Sequence, residues 1–523
     1  MPAVPTSIPN LHPMKLTRRQ FTTMVAAAAA AQAVSSLGFA GRAEAADPEE
    51  LSGLSLTEAA AKVRSGGATS VQLTQASLER IGVLGPKLDA FITVAAQQAL
   101  AQAQQLDAEQ KAGKLRGPLH GVPIAIKDNI DTAGIRTTGA SAVFEDRVPK
   151  EDAPVVARLK AAGAVIVGKT NLQEFAMGGG ETSFFGPARN PWALDHNTGG
   201  SSSGSGAAIS ARLAYGALGT DTAGSVRMPA SYCGVVGLKP TYGLVPIRGI
   251  IPLILSLDHC GPLTRTVEDT ALMLNVMAGY DKLDITSVEH AREDYVAALK
   301  QPLSGLRLGL PAGYFDHVDP EVTKASAAAI AVLARLTASV KDVSLPGITD
   351  MGNLGALGEV YAYHEEYFQN AAAKYMLPER MRLQTLFSGN AKATDYIRAR
   401  WKLDLLRRTI DDAFTDFDLV VMPTQRILPP LLDDLIKRAH DPKPIDPSVT
   451  SNCAPFDVYG LPAVSIPCGF SKSGLPIGLM IAGPRFSEGR VLALAQAYEQ
   501  ATDWHKRVPP VNAATPVPPV VSS

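Results

Sequence analysis

Short, largely apolar runs recur along the chain at Val122–Ile126, Ala164–Gly168, Leu306–Leu310, Leu419–Met422, Ala463–Pro467 and Ile477–Ile481. Their length and β-branched content predict buried strands rather than half-exposed ones. Helical patterns separate them. Ser55-Leu56-Thr57-Glu58 is a capping box ahead of an Ala-rich helix, and Thr69-Ser70-Val71-Gln72 opens a second. The Ala- and Gln-rich stretch 95–112 predicts a third helix, ended by the breakers in 113–118. Pro154–Ala162 predicts a fourth, and the small residues of Ala207–Ala217 a fifth that suits close packing. Strand and helix alternate, which points to an α/β fold. The stretch 178–206, with Gly178-Gly179-Gly180 and a Gly/Ser run, reads as loop. Residues 315–410 are more charged and mostly helical in pattern, a layer covering one side of the core. No internal repeat is visible. One α/β domain over residues 46–507 with a helical insertion therefore fits better than separate domains, and the Pro- and Ala-rich residues 508–523 read as a disordered tail.

The first 45 residues stand apart from this pattern. Thr17-Arg18-Arg19-Gln20-Phe21 precedes a weakly apolar stretch, Met24 to Ala40, and then Ala43-Glu44-Ala45. Charged start, apolar middle and A-x-A end are the three parts of an export signal, and the paired arginines fit the twin-arginine type. The expected destination is the periplasm or the outside. Its removal leaves a chain of net charge near −4. The full chain carries 49 Lys+Arg against 50 Asp+Glu and only nine His, so no basic face marks a nucleic-acid binder. No apolar run is long enough for stable membrane insertion once the signal is gone. The four cysteines, 233, 260, 453 and 468, form no CxxC pair, and Cys233 and Cys468 lie in apolar runs that predict inert buried thiols.

Candidate chemistry lies in three pieces. Lys127 ends the apolar run in Ile124-Ala125-Ile126-Lys127-Asp128-Asn129; Ser201 follows the paired glycines of Gly199–Gly206, 74 residues on; Ser225 lies 24 residues further, in Gly219-Thr220-Asp221-Thr222-Ala223-Gly224-Ser225-Val226-Arg227-Met228-Pro229. Taken singly, each has a bland explanation: a solvated strand-end lysine, a flexible loop, a turn.

In combination they resemble the amidase signature family. The matching segments are Gly121–Asn129, Asn171–Gly178, Gly186–Trp192, Gly199–Gly206, Thr220–Pro229, Gly234–Thr241, Gly460–Ala463 and Gly474–Gly478, with weaker matches at Ser256–Asp258 and Gly261-Pro262. They occur in family order over residues 50–507. The resemblance implies a single large domain with a central mixed β-sheet covered by helices on both faces. It places the family's catalytic lysine on Lys127, its cis-peptide bridging serine on Ser201 and its acylated nucleophile on Ser225, with Thr222, Ala223 and Gly224 at the oxyanion and substrate site. Two departures are Ser-Ser-Ser-Gly for Ser-Ser-Gly-Gly and Ala223-Gly224 for Gly-Gly.

The implied chemistry is physically coherent. A serine hydroxyl needs a neighbouring base, and lysine is one only when desolvation keeps it uncharged; the apolar run before Lys127 supplies that setting. The activity implied is cleavage of a small-molecule carboxylic amide without any cofactor. Esters, carbamates and anilides are alternatives, since one acyl-enzyme serves all of them. Asp221 and Arg227 are expected to support structure. A rival pattern, G-x-S-x-G over Gly200–Gly204, would make Ser202 the nucleophile of an α/β-hydrolase. A third reading is a member of the complex that amidates Glu on transfer RNA, against which the export signal weighs. There is no HExxH, Walker A or Rossmann pattern; His120 and His259 read as core residues. Homodimer formation is left open.

Overall fold

The apolar runs pair into one mixed sheet of eleven strands. These are β1 (Phe91–Val94), β2 (Pro123–Lys127), β3 (Val165–Thr170), β4 (Gly216–Asp221), β5 (Val236–Lys239), β6 (His259–Thr264), β7 (Arg307–Pro311), β8 (Ser339–Val343), β9 (Leu419–Pro423), β10 (Ala463–Phe470) and β11 (Pro476–Ala482). Their order is β1-β3-β2-β4-β6-β5-β10-β11-β9-β7-β8. Pairing is parallel in β3-β2-β4 and β9-β7-β8 and antiparallel elsewhere. The computed structural model describes residues 47–178, 182–347, 356–389, 392–439 and 451–520. The expected export signal, Gly179 and Gly180 lie outside them.

Helices cover the sheet. Ser70–Leu88, Ala96–Lys111 and Ser203–Ser210 share a core of small and branched side chains with β3, including Leu84, Leu88, Ala103, Leu106, Val165, Val167, Ala207 and Ala208. Arg227–Cys233 packs on β5, β10 and β11, Val267–Met277 on β5 and β6, and Glu488–Gln500 on β10. Both predicted capping boxes are present, at Ser55/Glu58 and Thr69/Gln72. The charged region holds the helices Pro320–Leu336, Ala356–Ala371, Leu377–Ser388 and Ala393–Thr409, but it also contributes β8 to the sheet edge.

Three expectations need correction. The small-residue helix runs over Ser203–Ser210 and the chain from Gly216 is β4, so helix replaces the end of the expected Gly/Ser loop. The glycines there permit contact rather than breaking the helix. A Cβ on Gly204 would run into the Ala90 carbonyl and the Asn171 amide. Strands β1, β4, β5, β6 and β8 escape the apolar-run criterion. The sequences of β4 (Gly-Ala-Leu-Gly-Thr-Asp) and β6 (His-Cys-Gly-Pro-Leu-Thr) are poor in β-formers, and β8 is a polar edge strand, as edges commonly are. Among the described residues after Arg507, 508–520, there is no helix or strand, yet they are not free. Val511 joins the core cluster of Leu84 and Leu88, and Lys87 Nζ donates to the Thr515 carbonyl. An apolar side chain that finds a hydrophobic surface docks on it whatever its backbone.

Candidate active site

Lys127 closes β2, and register decides what it meets. Ile126 pairs with Leu218, so Lys127 stands level with the Gly219-Thr220 end of β4. Its Nζ lies 2.8 Å from Ser201 Oγ and 2.7 Å from Thr220 Oγ1. Lys127 and Ser201 are fully buried, with no carboxylate in ion-pair range of the lysine among the described residues. Burial pushes the Lys127 ammonium down to about 7, against the opposing pull of Asp221, Asp258 and Cys260.

Ser201 is held from both sides. The Gly200–Ser201 peptide bond is cis, and the Ser201 carbonyl accepts from the Gln173 amide at 3.3 Å. The next hydroxyl, Ser202, is buried and fully engaged: it donates to the Thr220 carbonyl and accepts from the Thr220 amide, each at 3.2 Å. Ser202 therefore ties the Ser/Gly segment to β4. It lacks the exposed strand-to-helix elbow that an α/β-hydrolase nucleophile requires.

Ser225 sits in the turn between β4 and the helix Arg227–Cys233. Asp221 organises that turn by accepting the amides of Gly224 (2.5 Å), Val226 (3.1 Å) and Arg227 (3.4 Å). Arg227 clamps Asp221 with Nε and Nη2 and reaches Asp457 and the Cys453 carbonyl with its remaining N–H groups. Burial alone would raise the Asp221 carboxyl, but the Arg227 guanidinium overrides it and holds Asp221 well below the usual carboxylate range. The structural role expected of this pair is what the contacts show. Ser225 is partly exposed, and its carbonyl accepts from the Ser202 amide at 3.2 Å, which brings its backbone beside the buried Lys127–Ser201 pair. Among the described residues no hydrogen bond shorter than 3.5 Å joins the Ser225 hydroxyl to Ser201 Oγ.

The oxyanion expectation is altered at Gly224. Its amide is taken by Asp221, and its part is conformational: φ is +118° and a Cβ would lie 2.6 Å from Cys453 Cβ. The amides of Thr222, Ala223 and Ser225 make no hydrogen bond among the described residues, and Ala223 is exposed. N–H groups left without a partner beside a partly exposed hydroxyl are what a developing oxyanion needs.

Three residues of the quoted motifs were given no role by sequence reasoning. Thr220 Oγ1 takes Lys127 Nζ and the Asn129 amide nitrogen (3.2 Å), fixing the lysine tip. Asp258 accepts from Thr222 Oγ1 at 2.6 Å and from the Leu253 and Ile254 amides, and burial raises its carboxyl to about 6. Only their place inside the matching segments could have flagged them. His120 and His259 are satisfied core residues: His120 bonds the Arg116 amide and the Leu106 carbonyl, His259 the Leu257 carbonyl. All four cysteines are buried and none is joined in a disulfide. Phe184 and Phe185 stack edge to face near the surface, whereas Cys453–Tyr459 lies in the core.

A family model described as Amidase matches residues 72–492. A glutamyl-tRNA(Gln) amidotransferase subunit from Geobacter sp. (strain M21) is 41% identical over 490 residues, spanning 88% of this chain and 100% of its own. The native peptide amidase of Stenotrophomonas maltophilia is 33% identical with a TM-score of 0.76, over 88% of this chain and 98% of that one. A 6-aminohexanoate cyclic dimer hydrolase complexed with substrate is 28% identical with a TM-score of 0.78, over 88% and 99%.

Proposed function

The chain belongs to the amidase family, and on that premise we propose that it hydrolyses carboxylic amides through an acyl-enzyme on Ser225. The observation that carries the reading is a buried lysine, brought to about 7 by desolvation, hydrogen-bonded to a serine whose chain neighbour bonds the nucleophile's backbone. Uncharged Lys127 takes the Ser201 proton, and Ser201 takes that of Ser225. Ser225 Oγ bonds to the amide carbon, with the Thr222, Ala223 and Ser225 amides facing the oxyanion. The C–N bond breaks as Ser201 gives its proton to the nitrogen and regains one from Lys127, releasing ammonia or an amine. A water then loses a proton through the same relay and attacks the acyl carbon. The C–Oγ bond breaks, the acid leaves and Ser225 regains its proton. Esters, carbamates and anilides fit the same route. Residues 1–45 support export to the periplasm or outside as the setting.

Ser225→Ala should abolish both amide hydrolysis and labelling by a fluorophosphonate, with the label on the wild type mapping to Ser225. Labelling elsewhere, or full activity of the variant, overturns the reading. The full-length likeness to a glutamyl-tRNA(Gln) amidotransferase subunit supports a second reading, in which the chain releases ammonia from an amide donor as one member of an assembly. Hydrolysis only in the presence of a co-purifying protein would favour it.

A further inference from the structure

The helix Ala393–Thr409 carries apolar side chains on two sides. Inward, Ala399, Leu403 and Leu406 are buried, and Arg407 donates to the carbonyls of Ser256, Asp457 and Val458, which fixes the helix to the body of the domain. Outward, Ile397, Trp401 and Leu405 follow at i, i+4 and i+8 and are 44%, 69% and 63% exposed. That spacing sets them in one line along the helix, one per turn. Of the three tryptophans, Trp192 and Trp504 are half-buried and only Trp401 stands in solvent. A contiguous exposed apolar strip on a firmly held element marks a contact surface.

The charge of this helix runs against that of the chain. It holds five cations, Arg398, Arg400, Lys402, Arg407 and Arg408, against two anions, Asp395 and Asp404, in a chain whose total is −1. Arg398 lies 3.8 Å from Asp395, and Arg400 lies 3.5 Å from Asp404. Arg407 is spent on the three carbonyls. Lys402 and Arg408 are exposed and make no ion pair among the described residues. Lys402 follows Trp401 directly, and Arg408 stands one turn beyond Leu405. Their long stems reach past the strip and place both charged heads at the polar edge of whatever covers it.

We propose that this outer face seats the protein reversibly on an anionic phospholipid surface, with Ile397, Trp401 and Leu405 at the acyl-chain boundary and Lys402 and Arg408 among the headgroup phosphates. Tryptophan and aliphatic side chains in line, with cations beside them, are the pattern of a helix that lies in the plane of a bilayer interface. The strip is one helix wide. Its three side chains expose roughly a few hundred Å², short of the about 800 Å² per partner that a stable protein interface buries. A bilayer surface shapes itself to a convex strip and meets the two free cations with phosphates. The contact needs both features, because neither three apolar side chains nor two cations alone hold a protein on a bilayer.

The test titrates the full chain with phosphatidylcholine vesicles made with and without phosphatidylglycerol. Trp401 is the reporter: residues 1–45 contain no tryptophan, so their own binding to a vesicle does not immerse one. On the anionic vesicles tryptophan emission should shift to the blue and become shielded from acrylamide, and raised salt should reverse both changes. Trp401→Phe should remove the emission change. Leu405→Asn should weaken the titration about tenfold, and Lys402→Gln combined with Arg408→Gln about 25-fold, fivefold for each cation. Circular dichroism and the urea midpoint should stay as in the wild type for each variant. No emission change on anionic vesicles, an equal change on both vesicle types, or a change that Leu405→Asn and the double variant leave intact overturns the proposal. So does a blue shift that grows with protein concentration in the absence of lipid and accompanies dimers in sedimentation, which would make the face a contact between copies of the chain.

Discussion

On the proposed reading the activity reports one proton, that of Lys127. With Lys127 at about 7, roughly a tenth of the molecules hold it neutral at pH 6 and roughly nine-tenths at pH 8. For a neutral amide that does not itself titrate, kcat/KM should therefore rise about tenfold across that interval and level off by about pH 9. The cause can be tested as well as the midpoint. Burial drives the lysine down, while the charges of Asp221 and Asp258 hold it up. Asp258→Asn removes one of these supports, so its profile should rise at lower pH than the wild type, even though the lost bonds to Thr222, Leu253 and Ile254 reduce the plateau. The assay is ammonia release under kcat/KM conditions from pH 5.5 to 10, with circular dichroism at each pH to exclude unfolding. A solvated lysine near 10.5 would instead give a rate still climbing tenfold per pH unit through pH 9. That result, a flat profile from pH 6 to 9, or an alkaline shift in Asp258→Asn would refute the assignment of Lys127 as the base.

Other outcomes follow from the same contacts. Thr220→Val keeps the shape but removes the acceptor shared by Lys127 and Asn129, and should lower kcat/KM about tenfold or more and cost about 1–3 kcal/mol in urea unfolding. Ser202→Ala should cost a similar amount of stability while fluorophosphonate labelling at Ser225 persists; loss of labelling in a folded variant would restore the α/β-hydrolase reading. Gly224→Ala sets a Cβ against Cys453 at a positive φ and should destabilise by about 2–5 kcal/mol, read as a lower urea midpoint. Glu174 has its pKa raised from 4.5 to about 8 by burial and by Glu379. Its contribution to stability is thus complete below pH 4.5 and is lost as pH rises through 8. Glu174→Gln should flatten that part of the stability profile in urea titrations at pH 5, 7 and 9; an unchanged slope would exclude the group.

Sequence alone picked out the candidate residues for chemistry and the strands whose burial shows as apolar runs. Lys127, Ser201 and Ser225 stood out through motif order, and Asp221 and Arg227 through charge in a small-residue setting. Both are local properties that a linear pattern can carry. Only the tertiary structure decided what those residues touch. Whether Lys127 is a base depends on the register that sets β2 beside β4 and on a shell drawn from residues 201, 220, 221, 258 and 260. Gly224 looked like an oxyanion donor until Asp221, anchored by Arg227 and so by Asp457 some 230 positions away, proved to hold its amide. Strands β4 and β6 were hidden because the glycines that allow close packing at the centre of the sheet also erase the periodicity by which strands are read. A hydrogen bond, a desolvated charge and a close approach each depend on a partner distant in the chain. Their identity becomes physical only when the fold brings the two together.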